Sequence, residues 1–143
     1  MKRIFRAFMF LLLMAFIGIQ FVEVEKPNPP VTADLNAPIE VKNIFKNSCY
    51  DCHSNETKWP WYSKIAPISW QISKDVKEGR EHLNFSEWEK LFSGDRNKLK
   101  DEIWKQVNRD EMPISIYTLM HPSAKLDLMQ KNIIKKWTIS NPE

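Results

Sequence analysis

The sequence predicts an all-α fold, and three observations point there. Apolar residues recur at helical spacing in five separate stretches, and side chains suited to helix caps open several of them. The only strand-like alternation, Ile114 and Ile116, is too short to build a sheet. A length of 143 residues favours one folded domain.

The chain opens with Lys2, Arg3 and Arg6, followed by an uncharged run from Ala7 to Val22 centred on Leu11, Leu12 and Leu13. A positive flank before an apolar stretch is what the export machinery reads, and it leaves the positive end in the cytoplasm. Residues 1–22 are therefore expected to be a signal peptide or a transmembrane anchor, with residues 4–22 in the inner membrane. No small-x-small cleavage site closes the run, which favours the anchor. Residues 23–38 hold four of the nine prolines and cannot be helical. They read as an extended stalk between membrane and domain, the alternative being a segment folded against the domain.

Residues 39–143 then form the domain. Asn36 and Pro38 signal a first domain helix whose Val41, Ile44, Phe45, Ser48 and Cys52 keep helical spacing into the cysteines. Ile68, Ile72 and Val76 mark a second, stopping near Gly79. Ser86 with Glu89 suggests a capping box for a short third, carrying Trp88, Leu91 and Phe92 and ending at Ser93-Gly94. Leu99, Ile103 and Val107 line a fourth. Asp127 with Gln130 caps a fifth, with Met129, Ile133 and Trp137 facing inward. Divided among short helices, this core is modest, and some further group is expected to fill its middle.

Charge excludes one class of partner. The net charge of +3 comes from the N-terminal run, and residues 23–143 carry 18 basic and 18 acidic side chains. A neutral domain has no footprint for nucleic acid. Three glycines, Gly18, Gly79 and Gly94, make no phosphate-cradling loop, so no nucleotide is expected either.

The chemistry sits at Cys49-Tyr50-Asp51-Cys52-His53, which contains both cysteines of the chain. This is the C-x-x-C-H sequence that attaches haem c. Cysteines one helical turn apart can reach two vinyl groups on one porphyrin edge, and His53 follows as proximal iron ligand. Attachment outside the cytoplasm agrees with the export signal. A redox dithiol prefers a βαβ setting. A zinc site needs a second ligand pair, for which only His82 and His121 are at hand. A structural disulfide would close too small a loop to stabilise much.

The stretch from Phe45 to Trp137 resembles the small bacterial haem-binding domain family of periplasmic c-type cytochromes. The matching residues are Cys49-Tyr50-Asp51-Cys52-His53-Ser54-Asn55, Trp59-Pro60-Trp61-Tyr62, Ile65-Ala66-Pro67-Ile68-Ser69-Trp70 and Gly79-Arg80-Glu81-His82-Leu83-Asn84-Phe85-Ser86-Glu87-Trp88. Glu111-Met112-Pro113, Tyr117 and His121-Pro122 follow. Many members read Met-Pro-Pro where this chain has Met112-Pro113-Ile114. The resemblance implies one haem held covalently by Cys49 and Cys52, with His53 on iron.

For the second axial position the sequence favours Met112, which directly follows the fourth helix and is stiffened by Pro113. Met120 with His121 is the next choice, although His121 before Pro122 also reads as a helix N-cap. His82, near a helix end, suits the surface. Trp59, Trp61, Tyr62 and Trp70 read as aromatic walls of a haem pocket or as ordinary core. The expectation is thus a small cytochrome c-like helical domain wrapped around one haem, with no catalytic residues. It would be a periplasm-facing, membrane-tethered electron carrier serving redox partner proteins. A five-coordinate haem acting as small-ligand sensor or weak peroxidase is the alternative, and a thiol switch without haem a third.

Overall fold

The computed structural model describes residues 1–140, so the last three residues of the expected domain lie outside the described residues. Its helices, in chain order, are α1 (Lys2–Ile19), α2 (Ile39–Ser48), α3 (Tyr50–His53), α4 (Ile68–His82), α5 (Ser93–Asn108), α6 (Ser115–Met120) and α7 (Leu128–Ile139). Short 3-10 turns at Trp61–Lys64, Phe85–Lys90 and Pro122–Ala124 link them. No strand occurs among the described residues, and the all-α expectation holds.

The anchor half of the N-terminal expectation needs correction, and the signal-peptide half is untouched. Among the described residues, no helix is long and apolar enough to cross a membrane. The 18 residues of α1 extend about 27 Å, and the cations Lys2, Arg3 and Arg6 occupy its first turns. The uncharged remainder falls well short of a hydrocarbon core about 30 Å thick. No residue of α1 is buried against the rest of the chain.

Residues 23–38, read as a stalk, lie along the domain. The Glu25 carbonyl accepts from the Ser73 hydroxyl, the Pro27 carbonyl from Arg80, and the Pro30 carbonyl from the Asn55 amide. The Thr32 and Ala33 amides donate to the Ser86 carbonyl, and Leu35, fully buried, donates to Phe85. Proline keeps this segment extended, and extended backbone with free carbonyls finds partners on the helices it crosses. Further upstream, the Gln20 side-chain amide pairs with both backbone groups of Ala66 at 3.0 Å each.

The core is built from α2, α5, α7 and the 3-10 turn at Phe85–Lys90. Phe45 and Phe85 stack at 4.8 Å, Tyr50 stacks on Phe85 at 5.2 Å, and Trp137 meets Phe45 edge-on at 5.2 Å. Leu35, Val41, Ile44, Trp88, Ile103, Val107, Leu126 and Ile134 complete it. Side chains fill this core, and the cysteine turn contributes Tyr50 to it, packs Cys49 against it and meets α4.

Several boundaries differ from the sequence expectation for identifiable reasons. The first domain helix breaks at Cys49, whose ψ of −34° comes with a φ of −128°, so α3 starts afresh. The expected Ser86–Glu89 capping box does not form. Asn84 caps that turn by accepting from the Ser86 amide, while the Ser86 hydroxyl accepts from the Asn55 amide. Ser93 and Gly94 open α5 rather than end the preceding helix. At α7 the Asp127–Gln130 capping box forms as expected. The inward face there carries Ile134 and Trp137, and Met129 points to solvent at 72% exposure.

Candidate functional site

The site begins with the four-residue helix α3 and the way it meets α4. Cys49 stands at its N-cap, Cys52 in its last turn and His53 at its end. The contact with α4 is unusually close, because Gly79 faces the Cys52 carbonyl. A Cβ at position 79 would come within 2.8 Å of that oxygen. The missing side chain lets the two backbones approach, which is what a glycine inside a helix permits.

That approach fixes the histidine. His53 Nδ1 donates to the Gly79 carbonyl at 2.9 Å and the Leu83 carbonyl at 3.1 Å. Both oxygens lie in the last turn of α4 or just beyond it. Burial lowers the His53 pKa below its ordinary value, against the opposing pull of these two carbonyls. The imidazole is therefore neutral at pH 7, with its proton committed to Nδ1 and the Nε2 lone pair left over. This is the tautomer an iron-binding histidine needs, held by backbone acceptors.

The cysteines are free thiols in the described structure. Burial first, and then the neighbouring Cys52, push the Cys49 pKa up to about 12. Burial and Asp51 raise Cys52 to about 11, with Arg80 opposing. Thiols in this state are poor thiolate nucleophiles, unlike the activated pair of a redox dithiol.

The loops around α3 are tied to it at defined atoms. Arg80 reaches four acceptors, the Ser54 and Pro27 carbonyls at 2.7 Å, the Thr57 hydroxyl at 2.8 Å and Asn28 Oδ1 at 2.9 Å. It thereby joins the end of the cysteine turn to the Pro-rich segment. Asp51, between the two cysteines, accepts from the Tyr117 hydroxyl at 2.8 Å and from the Lys58 amide at 3.1 Å. Tyr117 stacks on His121 with ring centroids 4.4 Å apart, and the Tyr62 hydroxyl lies 3.4 Å from His121 Nε2.

Cys49, Cys52 and His53 are thus brought together, while the other expected residues are placed less directly. Met112 lies in the loop between α5 and α6 at 37% exposure, outside the core. His82 is exposed at the end of α4, in keeping with a surface role. Trp61, at 71% exposure, and Trp70 are not core residues, and Trp59 and Tyr62 are half-buried. Gly79, read from sequence as a helix stop, sits inside α4 as the contact point with α3. Its signal was available in the cost of a glycine within an apolar helical repeat. The carbonyls of Gly79 and Leu83 and the Asp51–Tyr117 bond had no such signal.

A family model described as a haem-binding domain matches residues 14–140. The chain belongs to the haem-binding domain family. No curated protein and no solved structure matches it. The donor set fits the group this family binds. Two thiols stand three residues apart, at the N-cap and in the last turn of α3, followed by an imidazole whose free nitrogen is Nε2. In the haem-binding domain, Cys49 and Cys52 would hold the porphyrin edge and His53 the iron.

Proposed function

We propose that this haem-binding domain is a monohaem c-type cytochrome that carries single electrons on the periplasmic side of the inner membrane. One observation carries the reading most. His53 Nδ1 is committed to the Gly79 and Leu83 carbonyls, so Nε2 is pre-set for iron. Bound haem would supply a one-electron Fe(III)/Fe(II) couple. The chain's own part is to orient the imidazole through α4 and to hold the cysteine turn through Arg80 and Asp51. Met112 is proposed as the distal ligand, which favours a higher potential than a second histidine. The helix that begins with Lys2, Arg3 and Arg6 is otherwise apolar and exposed on all faces, the make-up of an export segment. Redox proteins of the periplasm or membrane are the proposed partners. The raised thiol pKa values argue against a thiol switch.

The exposure of Met112 keeps a second reading in play, a five-coordinate haem that binds small ligands. One experiment decides between them. The full chain is expressed in a host with cytochrome maturation, and mass and visible spectra are recorded for wild type and Met112→Ala. A mass gain of one haem, with a low-spin spectrum whose methionine–iron charge-transfer band is lost in the variant, supports the electron carrier. A high-spin spectrum indifferent to the substitution and responsive to carbon monoxide favours the open site. Absence of covalent haem would overturn both.

A further inference from the structure

The short helix α6 contributes no buried residue, and Ile116, Leu119 and Met120 on it are exposed. Apolar packing therefore does little to hold it. A polar, long-range bond ties it instead. The Tyr117 hydroxyl donates to Asp51 Oδ2 at 2.8 Å across 66 residues of chain, onto the residue between the two cysteines. Met112 lies five residues before Tyr117 and is pinned on its other side as well. The Glu111 and Met112 amides both donate to the Gln106 carbonyl. Asp110 adopts a φ of 58° and pairs with Lys131. The Met112 loop is thus strung between the end of α5 and the cysteine turn.

We propose that the Tyr117–Asp51 hydrogen bond is a latch that holds the Met112 loop against the haem-attachment turn and so sets how firmly the distal position is closed. The proposal rests on the reading of Met112 as distal ligand. Tyr117 and Asp51 are positioning residues, since they act through the loop. The His121 ring, stacked on Tyr117 and within 3.5 Å of the Tyr62 hydroxyl, orients Tyr117 towards Asp51. A hydroxyl bond to a carboxylate is stronger than one between neutral groups, so its loss shifts a closed–open equilibrium by roughly tenfold to a hundredfold.

The test uses the full-length haem-loaded chain and its Tyr117→Phe variant, which keeps the ring and removes only the hydroxyl. Carbon monoxide binding to the ferrous form is followed beside the ferric methionine–iron band, with haem content and far-UV circular dichroism as folding controls. The expected result is a faster carbon monoxide on-rate, by about tenfold or more, and a weakened band at unchanged haem content. Asp51→Asn shifts both readouts the same way but less, because an amide oxygen still accepts. It becomes the deciding variant if Tyr117→Phe does not load haem. Combining the two substitutions does no more than Tyr117→Phe alone. An unchanged rate and band in Tyr117→Phe, where Met112→Ala abolishes the band, overturns the latch and leaves the ligand reading standing. A band unaffected by Met112→Ala overturns both.

Discussion

Replacing Gly79 by alanine probes the contact on which the site depends. The new Cβ would lie 2.8 Å from the Cys52 carbonyl oxygen and 3.2 Å from its carbon. Both are backbone atoms, so the strain is relieved only by moving α3 away from α4. Overpacking of this kind costs about 1–3 kcal/mol. The displacement also stretches the His53 bonds to Gly79 and Leu83, adding about 0.5–1.5 kcal/mol. Alanine's higher helix propensity returns about 1 kcal/mol, so the net loss is about 0.5–3.5 kcal/mol. Urea denaturation of the full chain, followed by tryptophan fluorescence, measures it. Gly94→Ala is the control, since nothing lies within 4 Å of a Cβ there. It should be neutral or stabilising by up to about 1 kcal/mol. Haem incorporation, read by mass, should fall in Gly79→Ala alone. Equal denaturation midpoints and equal haem content for Gly79→Ala and wild type would show that this glycine does not position the histidine.

Two further perturbations test the surroundings. Arg80→Lys cannot reach the four acceptors the guanidinium spans, and a loss of about 2–4 kcal/mol is expected. Limited proteolysis should then cut within residues 27–33, and an uncleaved variant would show that Arg80 does not hold the segment. Burial acts to raise the Asp34 pKa, but hydrogen bonds from Lys42 and Tyr50 outweigh it and bring it below the ordinary 3.8. A depressed carboxylate contributes stability that is fully present above its unfolded value and lost as pH falls through the folded one. Asp34→Asn should therefore be less stable than wild type at neutral pH, with the gap closing below about pH 4. A gap independent of pH would rule out this origin.

Features encoded within a few residues of one another were legible in the sequence. The C-x-x-C-H spacing places two sulfurs and an imidazole on one turn. The repeats through Val41, Ile44 and Phe45, through Leu99, Ile103 and Val107, and around Trp137 specify helices with one apolar side. The Asp127–Gln130 box closes on itself three residues apart. Each of these needs no distant partner. Apart from local boundary shifts such as the Asn84 cap and the break at Cys49, the rest came from contacts between residues far apart in the chain. Whether Met129 or Ile134 turns inward depends on where Phe45 and Trp88 stand. Proline composition keeps residues 23–38 extended, but only Arg80, Ser73 and Ser86 determine that they lie against the domain. Helix α6 has a weak local signal and is tied to the cysteine turn through Asp51. The tautomer of His53 is set by two carbonyls 26 and 30 residues away. A backbone carbonyl carries no side-chain identity, so no reading of residue types could have named them. The residues that form the site are local, and the geometry that fixes the tautomer of His53 is not.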